Sequence, residues 1–249
     1  MAITKYFNVE VKPTMTGQNA VTAFGVGDVM FDWTQVVIPR GSCRLIGITT
    51  LVRGTNGARQ EFASDIYFAR SPQPFTNATT SLGTVNATAD GVNYFNDLIG
   101  AVNIPVTDFR DGLDYMAVSH TDTVATGAGI VMEGNELIVS KSGYIGSHDE
   151  LYMGVIAQGA FDFNTGSLLN QAGNQAIAAG QTTLTTDGTH ATKVFATGDV
   201  IVAQDNAAIG TVVSTATTSI VVDKVTAALL DDDEFCNKTP ITYILHFEK

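Results

Sequence analysis

Residues 29–53 have the sequence VMFDWTQVVIPRGSCRLIGITTLVR, and this stretch decides the fold class. In its first part Val29, Phe31 and Trp33 are separated by single residues, which is the period of a strand with one buried face. The Pro-Arg-Gly sequence that follows predicts a turn. In the second part, from Cys43, apolar residues occupy positions of both parities, as in a strand covered on both faces. The stretch therefore predicts two β-strands joined by a turn, the second of them central in its sheet.

The same alternation continues on both sides of this stretch. It predicts strands at residues 3–12, 62–68, 115–120, 128–133, 136–140, 150–158 and 241–247. Glycine-containing turns separate several of them at short intervals, which is typical of an antiparallel sandwich or jelly roll. Residues 71–91 are rich in Pro, Thr, Asn, Ser and Gly and predict a long surface loop. The exception to the β pattern is 90–99, where apolar residues have roughly helical spacing and predict a short helix.

The composition changes after about residue 164, where large aromatic residues nearly vanish and Ala, Thr, Gly and Val take over. Five short segments in this region predict strands: Thr182–Thr186, Thr192–Phe195, Asp199–Ala203, Ala208–Ser214 and Ser219–Asp223. Five such strands can close into a small barrel without open edges. We therefore predict an all-β chain: an antiparallel jelly-roll β-sandwich of residues 1–164 plus 231–249, with a small β-barrel domain, 165–230, inserted before the last strand.

Composition and charge exclude several classes of protein. Of the 249 residues, 45% are hydrophobic and 15% charged, so the chain is too apolar to be disordered. The formal charge of −12 gives no support to binding of nucleic-acid phosphates. No apolar run approaches the roughly 20 residues of a membrane span, and no signal peptide is recognisable. We expect a protein that is made in a cytoplasm and binds neither nucleic acid nor membrane.

The motifs of common enzymes are missing from the sequence. There is no G-x-S-x-G elbow, P-loop, H-E-x-x-H motif or cysteine pair at zinc spacing. Gly25-Val26-Gly27 lacks the third glycine of a dinucleotide fingerprint, and residues 231–234 lack the alternating ligands of a calcium loop. The two cysteines, Cys43 and Cys236, are predicted to be small apolar core residues. We therefore predict no catalytic residue, no cofactor and no enzymatic activity.

Two groups of polar residues are possible metal-binding or catalytic sites. His120 and Asp122 lie two apart and would share one face of a strand, while residues 148–150 (His-Asp-Glu) could supply further metal ligands. Nothing in the sequence brings these two segments together, so we predict no metal site. A remaining alternative is a hydrolase or lyase that uses an acid pair from Asp108, Asp111 and Asp114.

Charge is unevenly divided along the chain. Residues 1–110 contain all six arginines and are neutral overall, whereas residues 111–249 carry the whole net charge of −12. Five arginines come from the region of the first predicted strands: Arg40, Arg44, Arg53, Arg59 and Arg70. Arginine suits planar recognition of carboxylates. One interpretation is a solvated rim; the other, which we adopt, is an interface with the acidic surface of a neighbouring subunit or scaffold.

Four segments resemble virion structural proteins of tailed phages, in particular uncharacterised proteins from phages of marine and freshwater cyanobacteria. They are residues 31–41 (FDWTQVVIPRG), 149–157 (DELYMGVIA), 198–201 (GDVI) and 209–212 (IGTV). The last two are similar to small β-barrel modules of such proteins. The resemblance covers about half of the chain and brings no catalytic residues with it. It implies a capsid decoration, or cement, protein or another auxiliary virion component.

The sequence and this resemblance lead to one functional expectation. We expect a non-enzymatic protein on the capsid surface that binds the major capsid protein and copies of itself as a trimer, and so stabilises the lattice. The alternative is a receptor- or glycan-binding module of the tail or a fibre, in which Tyr and Phe of residues 71–115 would stack on sugars.

Overall fold

The regular secondary structure in the part of the chain that the structure describes is almost entirely β-strand. The structure is a computed structural model and describes residues 5–15, 23–53, 59–71, 82–89, 98–110, 116–123, 129–136, 148–161, 177–186, 191–203, 208–226, 228–229 and 235–249. The strands are β1 (Tyr6–Val11), β2 (Val29–Pro39), β3 (Cys43–Arg53), β4 (Ser64–Ala69), β5 (Leu98–Ile104), β6 (Phe109–Arg110), β7 (Met116–Asp122), β8 (Ile130–Met132), β9 (Asn135–Glu136), β10 (His148–Ala157), β11 (Thr183–Thr185), β12 (Val200–Ala203), β13 (Ala208–Ala216), β14 (Ser219–Val222), β15 (Phe235–Asn237) and β16 (Ile241–Glu248).

The helical elements in these ranges are very short. They are the single turn α1 (Ala191–Val194) and a 3₁₀ turn at Val106–Asp108. Neither is long enough to span a lipid bilayer.

Two antiparallel sheets form a jelly-roll sandwich. The first sheet has the order β1-β16-β3-β7-β6, with β8 also paired to β3; the second has the order β2-β10-β4-β5, with β9 also paired to β10. The chain crosses from one sheet to the other between β2 and β3, between β3 and β4, and again after β5. The strand orders β1-β16-β3-β7 and β2-β10-β4-β5 are those of the two four-stranded sheets of a jelly roll. The predicted jelly-roll sandwich is confirmed.

The core of the sandwich is filled by the inward side chains of both sheets. In β16 the alternation is complete: Ile241, Tyr243, Leu245 and Phe247 are all 0% exposed. Each such residue contributes about 1.5–3 kcal/mol by leaving water. At one end of the core the rings of Phe62 and Phe161 stack with their centroids 4.4 Å apart. Because a one-residue slip would turn β16's apolar set to solvent, this pattern fixes the register.

The third sheet is formed by residues that lie between β10 and β16 in the sequence. Its order is β11-β14-β13-β12-β15. The predicted barrel is wrong, because among the described strands the sheet is an open path and no ladder joins its two outermost strands. Both of those end strands are only three residues long. One of them, β15, lies beyond residue 230, where the predicted inserted domain ends.

Two predicted elements differ from the structure. Thr192–Phe195, predicted as a strand, begins in the helical turn α1, closed by a bond from Phe195 N to Ala191 O of 3.0 Å. Ala191, Val194 and Phe195 are all buried, which is the i, i+3, i+4 spacing of one helical face. The helix predicted at 90–99 is wrong at its end, because Leu98 opens β5 and pairs with Ala69 of β4; residues 90–97 lie outside the described ranges.

The two cysteines occupy the core as predicted. Cys43 on β3 and Cys236 on β15 are both buried, and both are free thiols. Burial raises the pKa of the Cys43 thiol to about 11, so it stays protonated and unreactive at neutral pH.

Candidate functional site

The outer face of the first sheet has an open cleft of about 490 Å³, near the start of β1 and the ends of β16 and β7. Strands β1, β16, β3 and β7 lie side by side there, in antiparallel register. Gly47 of β3 forms part of the cleft lining, between His246 of β16 and Asp122 of β7. A Cβ atom at Gly47 would lie 3.2 Å from the ring of His120. Because Gly47 has no side chain, the imidazole of His120 can pack against the backbone of β3.

Four side chains form a chain of hydrogen bonds across this face, which we call the histidine chain: Asn8, His246, Thr49 and His120. Asn8 Oδ1 lies 2.9 Å from His246 Nδ1. Thr49 Oγ1 lies 2.8 Å from His246 Nε2 and 2.9 Å from His120 Nδ1. The two imidazole rings meet edge to face, with centroids 5.4 Å apart. The histidine chain thus links all four strands by side chains in addition to their backbone ladders.

Burial and the neighbouring imidazole make His246 harder to protonate. Desolvation lowers its pKa most, and the charge that His120 can carry lowers it further. The chemistry available to the cleft is the holding and passing of a proton. In the described ranges no three His, Cys, Asp or Glu side chains are grouped so that they could hold a metal ion.

The structure separates the two polar segments considered in the sequence. His120 and Asp122 share the exposed face of β7, as their spacing predicts. His148, Asp149 and Glu150 belong to β10 in the second sheet instead. There the Asp149 carboxylate accepts a bond of 2.8 Å from the backbone N–H of Gly41, and Glu150 accepts one from Gln35. The carboxylates of Asp149 and Glu150 therefore bind residues of β2 and of the turn that follows it.

The sequence prediction missed His246, the residue that actually meets His120. Its signal was its position in the alternation of the last strand, where outward-facing residues separate four buried ones. That alternation places His246 on the outer face. Only the pairing of β16 with β3 and of β3 with β7 brings it next to His120.

Three of the five predicted interface arginines lie at one end of the sandwich, which we call the arginine end: Arg40, Arg44 and Arg70. All three are exposed. Arg44 forms an ion pair of 3.2 Å with Glu248, and Arg70 one of 3.9 Å with Glu133. Glu133 follows β8, which pairs with β3 at Arg44, so the two ion pairs are close together.

The other two predicted arginines lie towards the opposite end. Arg53 closes β3, nine residues after Arg44, and nine residues of strand span roughly 30 Å. Its guanidinium forms an ion pair of 3.3 Å with Asp199, next to the first residue of β12 in the third sheet. Arg59 is half-buried in the segment between β3 and β4. The structure therefore does not bring all five arginines together.

The remaining predicted candidates are mostly outside the described ranges. Of the three acids proposed for a hydrolase, Asp108 accepts a bond of 2.6 Å from the Thr121 hydroxyl, while Asp111 and Asp114 are not described. Residues 231–234 are not described either. Within the predicted 71–115 loop region, 82–89 pack through Leu82 against the outer face of the second sheet.

No protein-family model matches the chain, and no curated protein matches it.

Proposed function

We propose that this protein is a non-enzymatic structural component of a phage virion that binds the outside of the capsid and stabilises contacts between major capsid subunits. Copies of the chain associate as a symmetric trimer in this proposal, because closed symmetry matches one subunit surface to a lattice axis. The proposal continues the resemblance of the sequence to virion proteins. Its support from the fold is an analogy, since jelly rolls also occur in lectins and cupins.

The observation that carries the proposal is the different character of the two ends of the sandwich. Arg40, Arg44 and Arg70 are exposed at the arginine end, where the turn between β2 and β3 lies. The third sheet is attached at the other end of β3, through the Arg53–Asp199 ion pair. Such a molecule offers one side for a lattice contact and another that faces away.

The ion pairs at the arginine end are suited to exchange of partners. The side chains of Arg44 and Arg70 are 46% and 55% exposed, although each is paired within the chain. Exposed pairs of this kind contribute at most about 1 kcal/mol, so little is lost when an arginine turns to a carboxylate of a neighbouring subunit. Bidentate arginine–carboxylate contacts would then orient the protein on the lattice.

A sedimentation assay with capsids that lack the protein tests the role of the arginine end. The double variant Arg44→Glu/Arg70→Glu is expected to stay in the supernatant, while the unaltered protein sediments with the capsids. Arg110→Glu is the matched control, because Arg110 is also exposed but lies on β6, away from the arginine end. Equal sedimentation of the double variant and the control would reject the arginine end as the contact surface.

A further inference from the structure

Asn8 determines which atom donates in each hydrogen bond of the histidine chain. Asn8 presents Oδ1, which only accepts, so His246 Nδ1 must carry a proton. In a neutral ring the other nitrogen, Nε2, is then an acceptor, and the Thr49 hydroxyl donates to it. The oxygen of Thr49 is left to accept from Nδ1–H of His120. Both histidines therefore carry their proton on Nδ1.

The ring nitrogens differ in what an added proton would disturb. His120 Nε2 takes no part in the histidine chain, so a proton placed there breaks none of its bonds. His246 Nε2 already accepts from Thr49, so a proton placed there forces the hydroxyl to turn round. The structure thus provides one undisturbed position for a proton, on His120.

A second proton on the pair is opposed by the first. The ring centroids are 5.4 Å apart, and His246 is partly buried, so positive charges on both rings would repel each other. In the doubly charged pair both rings would also donate to the single oxygen of Thr49. The two histidines therefore titrate as a coupled pair, in two separate steps.

The other charged and titratable groups around the histidine chain come from all four strands. They are Tyr6 and Glu10 on β1, Arg44 on β3, Asp122 on β7 and Glu248 on β16, and β6 adds Arg110, which pairs with Val118 of β7 on the same face. Glu10 is paired with Lys12, and Glu248 with Arg44, so these two acids are largely balanced. Asp122 lies two residues from His120 on the same exposed face of β7.

We propose that His120 and His246 form a coupled proton switch on the outer face of the first sheet, in which the first added proton goes to His120 and opposes the addition of a second to His246. The uptake adds one positive charge beside Asp122, in a cleft that the histidine chain keeps in one geometry. The switch does not rest on the proposed capsid-binding role, although Glu248 of the arginine-end ion pair also lines the cleft.

Nuclear magnetic resonance of the full chain with labelled histidine side chains tests the switch directly. At about pH 8 both His120 and His246 are expected in the Nδ1–H tautomer, since Asn8 and Thr49 dictate it. On acidification His120 should gain its proton first, and His246 should follow at a lower midpoint. His148, which lies on the second sheet, serves as the internal control. An Nε2–H tautomer at either residue, or equal midpoints for both, would overturn the proposal.

Two variants separate the switch from a merely structural contact. In Thr49→Val the link between the rings is lost, so the His246 midpoint should rise, and Thr49→Ser should restore it. In His120→Gln the midpoint of His246 should also rise, because the neighbouring charge is removed. Together these shifts support the coupling. A His246 midpoint that stays the same in His120→Gln would contradict it, even if Thr49→Val failed to fold.

Discussion

Tyr243 carries a hydroxyl group into the core of the sandwich. The residue is 0% exposed, and its hydroxyl has no hydrogen-bond partner among the described residues. Its neighbours across the first sheet, Thr50 and then Ser119, are also buried with unpartnered hydroxyls. Burial raises the pKa of Tyr243 well above its usual range, so the group stays neutral. A buried hydroxyl without a partner costs about 1–3 kcal/mol.

Tyr243→Phe is therefore expected to stabilise the protein. The change removes only the unpartnered hydroxyl and keeps the ring that fills the core, so the free energy of unfolding should rise by about 1 kcal/mol. Urea unfolding of both proteins measures the difference. Tyr243→Leu is a useful comparison, because it leaves a cavity and should destabilise. A loss of stability in Tyr243→Phe would mean that the hydroxyl is bonded in the folded protein.

His246 is expected to make stability depend on pH. Its pKa is lowered by folding, whereas an unfolded histidine titrates near about 6.5. Between these two values the unfolded chain binds a proton that the folded chain does not, so stability falls as the pH falls through this window. Urea unfolding at about pH 5 and about pH 7.5 should show a smaller difference for His246→Gln than for the unaltered protein. His148→Gln should keep the full difference; if both variants behave alike, the assignment to His246 is wrong.

Half of the histidine chain could be found from the sequence. The spacing of His120 and Asp122 places both on one face of a strand, and this local inference holds in the structure. His246 is 126 residues further along the chain, and its approach depends on which strands pair and in what register. A single sequence shows the faces of strands but not the order of strands in a sheet.

Many strands were found from the sequence because period-2 alternation is strong in this chain, but β5 and β6 were not predicted. β3 begins and ends where the apolar pattern does, at Cys43 and Arg53. The failure at Ala191–Val194 has a local cause, since four residues are too few to distinguish helical from alternating spacing. The helical turn α1 forms because Ala191, Val194 and Phe195 are buried against the third sheet.

Residues 82–89 lie against the outer face of the second sheet because Gly154 leaves room for them. A Cβ atom at Gly154 would lie 2.7 Å from Leu82 Cδ2 and 3.1 Å from the ring of Trp33. Leu82 is 3% exposed in this position and is packed with Val29 and Ile156. The segment thus covers part of the second sheet from solvent.

Gly154→Val should push this segment away and expose Trp33. The added bulk is expected to destabilise the protein by about 1–3 kcal/mol. Trp33 is the only tryptophan in the chain, so its fluorescence emission should shift to longer wavelength. Gly159→Ala is the control, because a Cβ atom there meets nothing within 4 Å. Unchanged emission in Gly154→Val would show that the segment is held by other contacts.

The Arg53–Asp199 ion pair is expected to help hold the third sheet against the sandwich. The two side chains are 30% and 12% exposed, and the second Asp199 oxygen accepts a bond of 2.8 Å from Ala196 N. Asp199→Asn should lower the free energy of unfolding by about 1 kcal/mol, and added salt should reduce the difference. Glu10→Gln, which breaks the exposed pair with Lys12, should change stability little. Equal effects of the two changes would contradict the assigned role.

On the scale of the whole molecule, the jelly roll could be predicted but the closure of the third sheet could not. Alternation and turn spacing are local signals, and they give the number and approximate position of strands. Closure depends on whether the first and last strands of a sheet meet, which is set by twist and tilt over the whole sheet. With end strands of three residues, β11 and β15 remain at opposite edges.

The proposal that one end of the sandwich binds a capsid is tested most directly by the copy number of the protein in the particle. The proposal predicts that phage particles carry the chain, and quantitative mass spectrometry of purified particles gives its copy number relative to the major capsid protein. A lattice-binding protein should be present in hundreds of copies, in a simple ratio to the capsid subunits. A count of about a dozen or fewer would contradict the account and place the protein in the neck, tail or fibres. Absence from the particles would contradict it altogether.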